Sequence, residues 1–139
     1  MFTPIYTAVA TAKGGRGGHA ETEDGQLKVT LALPKELGGN GKGTNPEQLF
    51  ACGYGACFGG ALDLVARQQK RPLKEIWVTP HVTIGKDDTG GFGIAVALHV
   101  RLPEVDRPTA EKLVEAAHQV CPYSKATRGN IEVKLIVED

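Results

Sequence analysis

The chain has 139 residues, enough for one ordinary hydrophobic core and short of what two need, so a single domain over residues 1–139 is expected. Lys plus Arg and Asp plus Glu both total 16, so no net field gathers a polyanion and nucleic acid is not an expected partner. The opening MFTPIYTAVATAKGG lacks the basic start and unbroken apolar run of a signal peptide, and no stretch reads as a membrane span. A cytoplasmic protein without membrane attachment is expected.

The segment from Ile5 to Ala10 is apolar, and Leu27, Val29, Leu31 and Leu33 alternate with polar residues, so the chain opens as β structure. GGRGGH and an EDG turn between them, and GGNGKGTN after Pro34, read as glycine loops. Thr44-Asn45-Pro46-Glu47-Gln48 holds the ingredients of a helix start: a capping residue, proline in the first turn and acid or amide behind it. The helical pattern continues through LFACGYGACFGGALDLVARQQK, whose small residues leave room for another helix to approach. Gly53 and Gly55 predict a break into a short helix and a longer one ending near Lys70, with Cys57 in the first turn of the longer.

Trp77 to Ile84, the turn GKDDTGG and the alternating Ile94, Val96, Leu98 and Val100 predict a β-hairpin. A second helix follows Asp106, tolerates Pro108 in its first turn, shows apolar spacing at Leu113, Ala116, Ala117 and Val120, and stops at Pro122. Ile131, Val133, Leu135 and Val137 alternate with charged residues as a last strand. The order β-β-α-β-β-α-β, without internal repeat, predicts an α+β fold. With 18 glycines and only 6% aromatic residues one chain has a thin core, and an obligate dimer is the expected remedy.

Three cysteines are an odd count, which argues against a structural disulfide framework and fits a reducing compartment where thiols are catalytic or redox-sensing. Cys57 at a helix start has a reactive-thiol environment, since free N–H groups and the dipole favour thiolate, but a free cysteine is as often a small buried hydrophobe. Cys121, between a helix and Pro122, suits a resolving thiol, while spacing alone slightly favours packing, since 64 positions from Cys57 say nothing of distance without the fold. Cys52 precedes Cys57 by five positions, well over a quarter-turn away on a helix, and reads as packing. His118, Cys121, Cys52 and Cys57 lack zinc-knuckle spacing, and His19, His81 and His99 show no ligand pattern, so no metal is expected. His118 reads as a polar residue on a helix flank. Arg16 in GGRGG can fold inward or remain a solvated tip, and Glu47 complements the helix dipole. GGNGKGT is not a phosphate loop, because Lys42 is followed by Gly43 rather than Ser or Thr.

TNPEQLFACGYGACF and HQVCPYSKATRGNI, with the YTAVATAKGGRGG opening and the LGGNGKGTNPEQLF approach, closely resemble the organic hydroperoxide resistance branch of the OsmC/Ohr family over nearly the whole chain. The resemblance implies that Cys57 is the peroxidatic cysteine, Cys121 the resolving cysteine, Arg16 the thiolate-stabilising arginine and Glu47 the carboxylate that orients it. It implies an intertwined homodimer in which curved antiparallel sheets wrap central helices, with sites at the subunit interface. It also implies a thiol peroxidase of the stress response, with no bound cofactor, that reduces organic hydroperoxides. The redox-active disulfide is then reopened by dihydrolipoamide, free or on a lipoylated protein. Cys52 departs from the family, which more often has alanine there. Leu49, Phe50 and Phe58 are expected to favour alkyl or fatty-acyl substrates. A redox sensor using the same cysteines without turnover, and a carrier of small apolar ligands, are the readings of other classes.

Overall fold

Alternation in the first third of the chain builds a three-stranded antiparallel sheet, β1 (Ala10–Lys13), β2 (His19–Thr22) and β3 (Lys28–Thr30), in that order. The computed structural model describes all residues from Met1 to Asp139, and they form two compact units, Met1–Leu49 and Phe50–Asp139. The apolar segment from Ile5 is not a strand until Ala10; Phe2, Ile5 and Tyr6 stand 89%, 97% and 82% exposed. Hydrophobicity alone does not make a strand where no neighbour accepts its backbone hydrogen bonds. The GGRGGH stretch, expected to be all loop, contributes His19 to β2, pairing with Lys13 of β1 and Thr30 of β3. Between Lys13 and His19 the chain makes one 3₁₀ turn, Gly15–Gly17, that carries Arg16 at its tip. Glycine is required here: Gly14 has φ 86°, and a Cβ on Gly18 would come within 1.7 Å of the Lys13 carbonyl oxygen.

Helix α1 spans Pro46–Gln68 without interruption. The Gln48 N–H donates to Asn45 Oδ1 at 2.9 Å, so Asn45 caps the helix and Pro46 fills the first position, where its missing N–H costs nothing. The expected break at Gly53 and Gly55 does not occur. Two glycines cost a helix about 1 kcal/mol each, and burial of Tyr54, Phe58, Leu62, Val65 and Ala66 outweighs that at about 1.5–3 kcal/mol per large apolar side chain. The glycines also admit neighbours: a Cβ on Gly53 would lie 3.2 Å from Tyr123 Oη, and one on Gly55 3.3 Å from Pro80 Cδ.

The second unit continues with the antiparallel pair β4 (Trp77–Lys86) and β5 (Phe92–Arg101), in register Val82↔Val96. Helix α2 (Arg107–Val120) follows, capped by Asp106, which accepts from Thr109 N–H at 2.9 Å. Pro122 ends α2 as expected but also opens a further helix, α3 (Pro122–Thr127). The residue before a proline is driven out of the α region, and Cys121 is accordingly extended (φ −66°, ψ 124°), closing one helix and starting the next. Strand β6 (Val133–Glu138) then pairs parallel to β5, the arrangement a helical crossover permits; the second sheet is therefore mixed rather than antiparallel. Val96, Leu98 and Val100 of β5 are buried in one cluster with α1 residues and with Leu113, Val114 and Ala117 of α2.

Contrary to the expectation that no stretch approaches a membrane span, α1 is long and apolar enough by length and composition, reaching a mean hydropathy of 1.5 over 18 residues. Its alanines and cysteines score as apolar without being large, and Tyr54, Phe58, Leu62 and Val65 are buried in the core.

Candidate active site

Arg16, at the tip of the β1–β2 loop, grips the Glu47 carboxylate with both arms of its guanidinium: Nη1 donates to Oε2 at 2.8 Å and Nη2 to Oε1 at 2.7 Å. The Glu47 side chain is 14% exposed and that of Arg16 39%, so the pair is partly shielded and the arginine is no solvated loop tip. A bidentate fork fixes a guanidinium more tightly than a single contact. The hydrogen bond, against an opposing desolvation, raises Arg16 above its ordinary pKa, and the same bond holds Glu47 below the usual carboxyl range.

Cys57 and Cys121 are both reduced, and the Cys121 thiol donates to Cys57 Sγ at 3.5 Å. Cys121 is fully buried and Cys57 half-buried. Cys57 does not sit in a helix's first turn, as expected; it lies within unbroken α1, where backbone N–H groups are already bonded and the dipole offers little. Burial pushes its pKa up, the Tyr123 backbone N–H pulls it down, and the Cys121 thiol adds to the rise. Pro122 has no N–H, so the N–H of Tyr123 is the first that α3 can turn toward the sulfur. Cys52 is exposed rather than packed. Phe58 belongs wholly to the core, whereas Leu49 and Phe50 are half-buried and Phe50 stacks on Tyr123 with centroids 6.2 Å apart.

Residues 39–136 match the OsmC-like protein family. The chain is 54% identical over 133 residues to the organic hydroperoxide resistance protein of Xanthomonas axonopodis pv. citri, covering 94% of this chain and 93% of that one. This chain belongs to the OsmC/Ohr family, in its organic hydroperoxide resistance branch. The crystal structure of an organic hydroperoxide resistance protein from Legionella pneumophila superposes with TM-score 0.93 at 50% identity, covering 99% of this chain and 100% of that one. The OhrB protein of Bacillus subtilis does so with TM-score 0.88 at 48% identity, covering 96% and 98%. Membership in the OsmC/Ohr family is consistent with hydroperoxide detoxification and establishes the α+β fold of two sheets and three helices.

Three side chains not weighed in the sequence, Tyr54, Ser124 and Thr127, join His118 in a buried hydrogen-bonded group. Ser124 Oγ, fully buried, lies 2.8 Å from Tyr54 Oη and 2.8 Å from His118 Nδ1, and Tyr54 Oη also meets Thr127 Oγ1 at 3.1 Å. His118 is thus a buried, bonded residue and not a flank position. Desolvation lowers its pKa, the nearby Arg128 charge adds to this, and Glu115 opposes it. One sequence signal was available: Tyr54 and His118 each precede a cysteine by three positions, which puts them one turn away on the same side of a helix.

Proposed function

We propose that this chain is a cysteine-based peroxidase that reduces alkyl and fatty-acyl hydroperoxides to alcohols. The observation that carries the reading is the reduced Cys57–Cys121 pair, with sulfurs 3.5 Å apart, in a chain of this family. Cys57 thiolate attacks the terminal peroxide oxygen, the O–O bond breaks, and the leaving alkoxide takes a proton to become the alcohol, leaving Cys57 as sulfenic acid. Cys121 then attacks the Cys57 sulfur; the S–S bond forms, the S–O bond breaks, and the oxygen leaves as water with the Cys121 proton. Two thiol–disulfide exchanges with a dithiol, for which the family resemblance supports dihydrolipoamide or a lipoylated protein, return both thiols.

Because burial raises Cys57, the thiolate needs a cation. An ordinary cysteine is only a few per cent thiolate at neutral pH, so full ionisation gains roughly thirtyfold in population, of which the loss of nucleophilicity leaves about tenfold. We assign Arg16, oriented by Glu47, to the thiolate and to the charge developing on the leaving oxygen. The bidentate pair supports this, since it uses two of the five guanidinium N–H groups and leaves others to donate. The full chain acts as one domain in a cytoplasmic, intertwined homodimer. That assembly is supported by the bare apolar residues Phe2, Ile5 and Tyr6 and by the α1 stripe Cys52, Ala56, Gly60 and Leu64, four apart, exposed and uncharged.

A second reading, a redox sensor, is favoured by one feature: Cys121 is fully buried, so an external dithiol reaches the disulfide through Cys57. Consumption of tert-butyl hydroperoxide with dihydrolipoamide as sole reductant separates the two. The peroxidase gives many turnovers, abolished by Cys57→Ser and not sustained by Cys121→Ser. A single stoichiometric oxidation leaves the sensor.

A further inference from the structure

Ser124 bridges the helices that carry the two thiols. Its hydroxyl is shared between Tyr54 on α1 and His118 on α2, each one turn before a cysteine. The same stretch of chain is tied down twice more: Thr127 Oγ1 meets Tyr54 Oη at 3.1 Å and donates to the Tyr123 carbonyl at 3.0 Å, and Arg128 Nη1 donates to the His118 carbonyl at 2.7 Å. No buried side-chain nitrogen or oxygen lacks a partner. A fully satisfied buried network holds one geometry, because every alternative leaves a polar group unbonded in a low dielectric.

The geometry it holds is that of the sulfurs. From 3.5 Å to a disulfide bond of about 2.05 Å the thiols close by roughly 1.5 Å, a near-attack separation in which small misplacements are costly. We propose that Ser124, through Tyr54 and His118, is a positioning residue for disulfide closure, setting how often Cys57 sulfenic acid is captured by Cys121 rather than oxidised further. This rests on the peroxidase reading. The competing reaction consumes a second hydroperoxide: the sulfenic sulfur takes its terminal oxygen and becomes sulfinic acid, losing two more electrons, while a second alcohol leaves.

The test follows the purified full chain after mixing with tert-butyl hydroperoxide, by rapid quench and mass spectrometry of Cys57 as thiol, sulfenic acid, disulfide and sulfinic acid. Ser124→Ala removes the bridge, and Tyr54→Phe removes one of its bonds while keeping the ring, so a folding failure of the first leaves the second informative. The expected result is loss of thiol within about twofold of the wild-type rate, with closure slowed roughly fivefold or more, since each variant loses two buried hydrogen bonds and one is worth about that factor, and the sulfinic fraction raised to match. Closure and first oxidation slowed together, or an unchanged sulfinic fraction in both variants, would overturn the proposal. A wild-type chain that loses Cys57 thiol and never forms the disulfide removes the two-cysteine cycle, and this inference with it.

Discussion

Lysine at position 16 keeps the charge and loses the fork that matches Glu47 Oε1 and Oε2. On the role proposed for Arg16, Arg16→Lys is expected to lower the second-order rate with tert-butyl hydroperoxide by about 10²–10³, the usual cost of losing one donor to developing charge. A stopped-flow measurement showing less than about tenfold would confine Arg16 to the thiolate population. His118 yields a pH prediction with a definite sign. Its folded-state pKa lies below the ordinary 6.5, so the unfolded chain binds the proton more readily. The stability tied to the neutral ring is fully present above 6.5 and is lost as pH falls through the depressed value. Urea denaturation between pH 7 and 5 should show the wild type losing more stability on acidification than His118→Gln. Equal slopes would mean that the ring titrates alike in both states. Glu47 has the same sign at lower pH: its depressed carboxyl keeps the ion pair intact until acidification passes below the usual carboxyl range.

Among the elements, α1 carries the sharpest contrast between local propensity and packing. Gly55→Ala should add about 1 kcal/mol of helix propensity. The new Cβ, however, meets Pro80 Cδ at 3.3 Å and the Val78 carbonyl oxygen at 3.4 Å, both belonging to strand β4, whose backbone cannot give way as a free side chain does. We expect a lower midpoint in thermal unfolding; a rise would show that β4 relaxes. The same contrast explains why the helix was expected to break. Composition registers the cost of glycine at 53 and 55, but the compensating burial of Tyr54, Phe58 and Leu62 exists only after the chain has folded. Pro122 stops α2 as expected, and the extended conformation it imposes on Cys121 is also the start of α3, which no apolar period in so short a segment announces.

For the whole molecule, Gly60 separates a single-chain account from a dimeric one. A Cβ there meets nothing within 4 Å in one chain, so Gly60→Leu should be harmless to an isolated protomer. If the exposed stripe of α1 packs against its counterpart, a leucine holds the helices apart. Sedimentation should then show dissociation of the dimer at concentrations where the wild type stays associated. A dimer unchanged in affinity would put the interface elsewhere.

Element types were legible in the residue order wherever a periodic pattern ran long enough, as in β4, β5, α2 and β6, because periods of 2 and 3.6 residues are written directly in the order of side chains. It also carried the family, through two long motifs around Cys57 and Cys121. Tertiary structure alone decided that Cys57 lies inside an unbroken helix and that burial raises it. It likewise decided that Arg16 reaches Glu47, that Cys121 Sγ waits 3.5 Å from Cys57 Sγ, and that Tyr54, His118 and Ser124 meet around one hydroxyl. The physical reason is common to them all: burial, desolvation, ion pairing and shared hydrogen bonds depend on distances between residues far apart in the chain, which no local pattern encodes.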